Sequence, residues 1–529
     1  LSGAVNPGGG ERLARAAGLI SGLTLVSRLL GLVREQVFAA LLGAGLYADA
    51  FQIAFRIPNL LRDLFAEGAL SSAFVPTYAR TLAAGGREAG HRLASRVLTL
   101  LAVVLGAIVV LGILFADAIV AALAPGFEAV PGKEPFAVLL TRVMMPFLPL
   151  VSFAALAMGM LNAEERYAAP AIAPAMFNVV AILWGVLLWG MGFSPRDVAL
   201  GWALGTLLSG AAQFLVQVPP LRRTGWRFRP EWAPGDPDIG RIVGLMGPSV
   251  VGLAAVQLNI FLNSIFASHE PGAVSWLNYA FRILYLPIGL FGVALGTIAT
   301  SGLARRAAAG DMDGLRATLR DALSLLFFLT VPATLGLVVL AEPIVRLLFE
   351  HGAFTAADTK ATATALVCYG VGLVAYTGVK VLAPAFYALG SARVPLVGSV
   401  LAVLTNVAVM VVGFPILSFR AVALGTGLGS LVNAAVLFLV FERRVGGLRG
   451  SGLGSRLLRV SGAAVVMAAL AAISAQQLAR MLGTEGILAQ AVVGLAPVAL
   501  GVAFYEALAL ALGITEARTV FGILRRRRP

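Results

Sequence analysis

Apolar runs long enough to cross a bilayer dominate this chain, and they admit few folds. Leu98–Phe115 is one such run, with no charge and no alternation of polarity. A hydrocarbon core about 30 Å thick needs roughly 20 such residues per helix. Within it each peptide group must be satisfied by its own segment, which favours helices. A transmembrane β-strand would alternate polar and apolar residues, so the fold class read here is an all-α integral membrane protein. Composition agrees: 59% of the 529 residues are apolar and 12% are charged, about half the charge of a soluble chain.

Apolar windows fall near 18–43, 47–79, 97–123, 138–161, 170–192, 198–219, 242–267, 273–303, 321–345, 361–388, 394–415, 421–441, 458–478 and 487–512, giving about fourteen transmembrane helices. The second and eighth windows are interrupted by Pro58, Gly68 and Pro76, and by Pro287 and Gly292. They read as bent helices, because proline frees a carbonyl that a cavity or protein interior must accommodate. The polar, Gly-rich start through Gly10 runs on into a full span, so no cleavable signal peptide is expected.

The connecting segments sort by charge. One set carries Arg12/Arg15, Arg80–Arg96, Arg166, Arg222–Arg241, Arg305–Arg320, Arg393, Arg443–Arg459 and Arg525–Arg528. The other carries only Lys133, Arg196, Arg346, Lys360, Arg420 and Arg480. This bias, roughly four to one, alternates with the fourteen-span count and places both termini in the cytoplasm. The net charge of +14 therefore reads as topology and not as nucleic-acid binding. The single cysteine, Cys368, lies in an apolar run and builds no disulfide framework.

A weak internal repeat is present. Ala54-Phe55-Arg56-Ile57 recurs as Ala280-Phe281-Arg282-Ile283, and Leu64-Phe65 recurs as Leu290-Phe291 at the same offset. Ala203–Thr206 matches Ala423–Thr426, and Asn178-Val179 matches Asn406-Val407. The offset spans an even number of helices, so the halves share one membrane orientation and form two six-helix lobes with the working site between them. The expected organisation is an N-terminal segment 1–17, a first lobe 18–220, a linker 221–241 and a second lobe 242–441. Two further helices with a basic loop (442–512) and a basic tail 513–529 complete it.

Charges remain inside or at the margins of the spans: Arg28, Arg34, Arg56, Arg62, Arg142, Arg282 and Lys380, against Glu35, Asp49, Asp63, Glu67 and Glu506. A charge at mid-bilayer costs about 2.5 kcal/mol or more, so these side chains should face a cavity or one another. Arginine stays charged when buried and grips phosphate bidentately, so the cationic surplus points to an anionic headgroup, phosphate or diphosphate. The plainer alternative is that Arg28 with Glu35, and Arg56 with Asp63, each seven apart, are internal pairs that orient helices. Arg142 lies near enough to a helix end to snorkel.

Enzyme chemistry has little to stand on. His91, His269 and His351 are scattered, and neither HExxH, CxxC nor GxxxxGK[ST] occurs. A transporter is expected, driven by an ion gradient, the membrane potential or its substrate gradient.

The block Ser27-Arg28-Leu29-Leu30-Gly31-Leu32-Val33-Arg34-Glu35 continues through Gly43-Ala44-Gly45, Asp49-Ala50-Phe51, Phe55-Arg56-Ile57-Pro58-Asn59-Leu60-Leu61-Arg62, Phe65–Ala69 and Ala73-Phe74-Val75-Pro76. Gly292–Thr297, Phe349–Thr355, Tyr369-Gly370 and Lys380–Ala388 follow in order. In these blocks the chain closely resembles the MurJ (MviN) family of bacterial lipid II flippases. The resemblance implies the MOP-superfamily fold, two six-helix lobes plus two C-terminal helices lining a lipid-tail groove. It implies headgroup binding by Arg28, Arg34, Arg62 and Arg282, with Asp49, Glu35 and Glu67 as acidic or gating residues. Arg56, Asn59 and Lys380 are further cavity candidates, and Gly31, Pro58 and Gly68 are flexing points. Alternating access would carry undecaprenyl-diphosphate-linked lipid II across the bacterial inner membrane, in company with membrane lipids and the cell-wall synthesis machinery.

Two departures limit the carry-over. Asp63 stands where some members have a second arginine after the position of Arg62. Where some members hold sodium with aspartates, Asn263, Asn406 and Thr426 stand nearest, with Met410 one turn beyond Asn406. Neutral oxygens hold sodium more weakly than carboxylates do, and packing is the plainer reading of the amides. The rival functions are export of another polyprenyl-diphosphate glycan, such as an O-antigen or capsule unit, and cation or drug antiport on the same fold. An antiporter of that kind should show acidic surplus instead. A glycosyltransferase would need a large extramembrane loop carrying acids, and none exceeds roughly 25 residues.

Overall fold

The computed structural model describes residues 7–62, 70–448, 450 and 452–518, all-α with no strand among them. Asp63, Glu67 and Gly68 lie outside the described residues, as do the tail arginines Arg525–Arg528. The chain divides into two compact units, Leu1–Val274 and Ser275–Pro529.

The first unit holds α1 (Pro7–Leu42), α2 (Leu46–Arg62), α3 (Ser71–Leu114), α4 (Ala116–Leu123), α5 (Lys133–Met144), α6 (Phe147–Ala163), α7 (Ala168–Met191), α8 (Pro195–Leu215), α9 (Val218–Arg222) and α10 (Pro237–Ser268). The basic stretch 80–96, expected to be a loop between spans, is helical. It belongs to α3 and is broken only at Gly86, whose φ of 73° and ψ of −176° turn the chain as few other residues can. Phe74, Tyr78, Leu93 and Val97 of α3 pack with Leu156, Met160 and Leu161 of α6. Ile239 and Ile242 join the same cluster. They bring α10, which the repeat assigns to the second lobe, into this unit.

The second unit begins within α11 (Ala273–Pro287). A π-helix over Ile288–Val293 then links it to α12 (Ala294–Ala308), so the eighth window departs from α-geometry beside Pro287 and Gly292. Next come α13 (Met312–Val339), α14 (Ala341–Phe349), α15 (Ala356–Gly370), α16 (Leu373–Ala388), α17 (Arg393–Leu417), α18 (Phe419–Arg444), α19 (Leu453–Leu482) and α20 (Ile487–Ala511). Asp311 caps α13, and the Gly314 backbone N–H, with the Arg306 guanidinium, holds its carboxyl below the ordinary carboxylate range. The cap therefore persists at neutral pH and is lost only as pH falls through that depressed value.

Ten described helices are long and apolar enough to cross a membrane, and α15–α16, bent by 43° at their junction, meet the same criterion only when taken together. Two of the fourteen windows, and half of a third, lie on α1, α10 and α2, outside that set. The outer faces fit hydrocarbon: Val412 and Ile416 on α17 are 73% and 82% exposed, a surface that water would not tolerate over many helices. Hydroxyls inside the spans satisfy themselves by donating one turn back, as Thr77 does to Ala73 O and Ser152 to Leu148 O, both at 2.8 Å.

Helix packing rests on small residues, as expected where lipid supplies no hydrophobic drive between helices. At the α15–α16 bend, a Cβ on Gly372 would sit 2.4 Å from the Gly427 Cα of α18. Backbone meets backbone there, so nothing can rotate aside. Gly372→Leu should lower the thermal midpoint of purified protein sharply or prevent accumulation, since overpacking costs typically 1–3 kcal/mol even where neighbours yield. Gly22→Ala, with nothing within 4 Å, should behave as the parent in the same melting assay.

Candidate functional site: a charged helix pair and a buried latch

Three of the four arginines expected to bind the headgroup lie in the first unit. Arg28 is exposed on α1 and makes no ion pair or hydrogen bond among the described residues. Arg34 donates to the carboxylate of its neighbour Glu35, and its guanidinium carbon lies 5.3 Å from the Phe177 ring centroid. Glu35 therefore serves Arg34 and not Arg28, seven residues away. Arg62 ends α2 half-buried. Arg56 donates to Ser264 Oγ on α10, and Asn59, three residues further along α2, is half-buried. Helix α2 runs unbroken through Pro58, and α1 through Gly31. Arg142 bonds exposed Asp117 at 2.6 Å.

Asp49 lies at the other end of α2 from Arg62, fully buried in the first turn. One of its oxygens, Oδ2, accepts from Lys133 Nζ at 2.7 Å and from the Gly272 backbone N–H at 2.8 Å. Lys133 is equally buried, with its ammonium 4.2 Å from the Phe127 ring centroid. It opens α5, where the helix dipole disfavours a cation. The carboxylate and the aromatic face offset that cost. Beside this pair the Gly126 N–H donates to Ser268 Oγ at 3.0 Å, and a Cβ on Gly126 would strike the His269 backbone at 2.5 Å. The C-terminal end of α10 is thus latched to α2, α5 and the turn at 125–129.

The N-terminal end of α10 is tied down as well. Arg80 and Thr81 donate to Asp238 at 3.0 Å. Arg96 donates to Glu231 and Asp236. Nearby, Glu164 Oε1 accepts from Tyr78 at 3.1 Å and lies 3.3 Å from His91 Nε2. Sequence reasoning treated these arginines and Lys133 only as topological charges. Their acidic partners lie too far along the chain for any spacing rule to pair them.

In the second unit Arg282 is exposed on α11. Lys380 is exposed on α16, 5.9 Å from the Tyr376 ring centroid. A Cβ on Gly296 would lie 2.6 Å from the Lys380 carbonyl, so α12 and α16 touch backbone to backbone at this level. Of the three residues expected nearest a sodium ion, Asn406 is buried against Gly425, and Thr426 donates to Val422 O at 3.0 Å. Asn263 belongs to α10 in the other unit. Among the described residues no three His, Cys, Asp or Glu side chains gather as a metal site.

A family model described as the lipid II flippase MurJ matches residues 38–494. The chain belongs to the MurJ family. The lipid II flippase MurJ of Burkholderia cenocepacia is 36% identical over 463 residues, 87% of this chain and 89% of that protein. A probable lipid II flippase MurJ of Rhizobium meliloti is 36% identical over 509 residues, 95% of this chain and 94% of that one. Among solved structures, a lipid II flippase MurJ in an inward closed conformation superposes with a TM-score of 0.75, at 24% identity, over 93% of this chain and 99% of that one. An inward-facing multidrug resistance MATE transporter of the MOP superfamily gives 0.68, at 20% identity, over 82% and 99%. These two likenesses carry the fold. The MurJ match spans Asp49, Arg62, Lys133, Arg282 and Lys380, while Arg28 and Arg34 precede it.

Removing one member of a buried ion pair typically costs 3–5 kcal/mol, because the other charge is stranded. Asp49→Asn or Lys133→Met should therefore each lower the melting temperature of the purified MurJ chain by several degrees. The double variant should recover part of the loss. Additive losses in a double-mutant cycle would show that the two side chains do not act as a pair.

Proposed function

We propose that this MurJ protein moves lipid II from the cytoplasmic to the outer leaflet of the bacterial inner membrane by alternating access. What carries the reading is the family match over 38–494. The arginines on α1, α2 and α11 supply the matching chemistry. A diphosphate headgroup is anionic and offers oxygens to guanidinium forks, each such bond being worth about 1.5–3 kcal/mol. The same surplus disfavours a cation antiporter on this fold. Another polyprenyl-diphosphate glycan would suit the arginines equally, and the family match ranks it second.

In this reading fourteen helices cross the membrane with both termini cytoplasmic, since the charge bias of the connecting segments alternates only with that count. The lipid II-making and lipid II-consuming enzymes would be its neighbours. Outward movement of an anion is downhill in a membrane that is negative inside, by about 2.3 kcal/mol per charge per 100 mV. Asn263, Asn406 and Thr426 bring no carboxylate to a sodium ion, so the potential is the stronger candidate for the driving force. Replacing external sodium by potassium should leave transport in energised vesicles within about twofold, whereas collapsing the potential should cut it several-fold. The reverse pattern would assign the coupling to sodium.

The direct test is complementation of a bacterium depleted of its lipid II flippase. The parent should restore growth, and Arg28→Ala, Arg34→Ala, Arg62→Ala and Arg282→Ala, at matched membrane levels, should each restore it poorly or not at all. Full rescue by all four would remove the arginines from the mechanism. A well-expressed parent that failed would favour the second glycan.

A further inference from the structure

Two adjacent residues of α7 hold the arginine-bearing stretch of α1. Asn178, 7% exposed, donates from Nδ2 to the Ser27 carbonyl at 3.0 Å and to its own helix's Pro174 carbonyl at 3.2 Å. Ser27 O keeps a second lone pair for the intrahelical bond of α1, so the amide adds a contact without opening the helix. Helical side chains lean toward the N-terminus, and Arg34 accordingly reaches back to place its guanidinium by the Phe177 ring. One α7 dipeptide therefore meets α1 from Ser27 to Arg34.

The support under that dipeptide is rigid. Phe177 packs on Phe147 with centroids 5.9 Å apart, in a cluster with Val151, Phe55 and Leu207. Further along, a Cβ on Gly185 would lie 2.6 Å from both Val37 of α1 and Trp202 of α8. Contacts at 27/178 and 37/185 run in the same direction, so α1 and α7 lie parallel, with α8 behind.

We infer that Phe177 and Asn178 are positioning residues for transport: they fix the height and rotation of α1, and through it the direction in which Arg28 and Arg34 meet an anionic headgroup. This rests on the reading that those arginines bind lipid II. Ser27 directly precedes Arg28, so holding its carbonyl holds the Arg28 backbone. Charge-assisted bonds to phosphate are directional, and small misplacements of a binding group are expensive. Stability alone would not need an amide here, because interhelical hydrogen bonds add little to membrane helix packing.

The experiment uses the full chain in lipid nanodiscs, with Asn178→Leu, Asn178→Gln and Phe177→Leu, each alone and combined with Arg34→Ala. Three quantities are read: the melting temperature, hydrogen exchange of the α1 amides 28–35, and lipid II affinity. Asn178→Leu should leave the melting temperature near the parent's, speed exchange at 28–35 about tenfold and weaken lipid II about tenfold. Asn178→Gln should fall between leucine and the parent. In the Arg34→Ala background Phe177→Leu should add little further loss of affinity, whereas Asn178→Leu, which also displaces Arg28, should still weaken it. Unchanged exchange, or a Phe177→Leu loss that multiplies with Arg34→Ala, would overturn the inference. Should Asn178→Leu fail to fold, Asn178→Gln carries the exchange test, and Phe177→Leu carries the coupling test with Arg34→Ala. Should the parent bind no lipid II, the functional reading falls, and exchange at 28–35 alone decides whether α7 positions α1.

Discussion

Hydrocarbon offers a peptide group no partner, and the architecture answers to that constraint at each level. Segments that enter the bilayer must be helical, so serine and threonine hydroxyls turn back on their own carbonyls and glycines bring helices into contact where side chains would hold them apart. Against this background each charged side chain among the apolar helices needs a local reason. Asp49 has Lys133 and the Gly272 amide, Arg34 has Glu35 and the Phe177 ring, and Arg56 has Ser264. Arg28, exposed on α1, has no such partner among the described residues.

Helix α10 shows how polar links organise the first unit. Arg80, Thr81 and Arg96 hold its N-terminal approach, while Ser268 and the following turn are held by Gly126 and Asp49. Between them Arg56 reaches Ser264. The helix is thus joined to α2 and α3 by hydrogen bonds near both ends. Each of these bonds can exchange with water once exposed, unlike a packed apolar contact.

The fold class was legible because it follows from polarity: an uncharged run such as Leu98–Phe115 has few alternatives in any context. Family membership was legible because the block from Ser27 to Pro76 is dense in Gly, Pro and Arg at fixed spacing. The helical state of residues 80–96 on either side of the break at Gly86 was not, since a charged stretch reads as loop whenever helix is stabilised by partners elsewhere, here Asp238, Glu231 and Asp236. Nor was the pairing of Glu35, where helical periodicity favours Arg28 but side-chain geometry delivers Arg34. Lys133 with Asp49, and Asn178 with Ser27, are contacts across many intervening residues, and a single sequence carries no signal linking them. The grouping of α10 with the first unit also escaped the repeat, because a repeat records ancestry of segments and not which neighbours they touch.

The Asp49–Lys133 pair has a consequence for the surroundings in which the protein works. Mobile ions weaken attraction between charges only where they can approach, over a Debye length of about 8 Å at physiological salt. With 0% and 1% of the two side chains accessible, the pair is closed to them. That end of the helix bundle should hold equally well whether the medium is dilute or saline. What loosens it is wetting: the first water molecule admitted beside the carboxylate raises the local dielectric and competes for its oxygens.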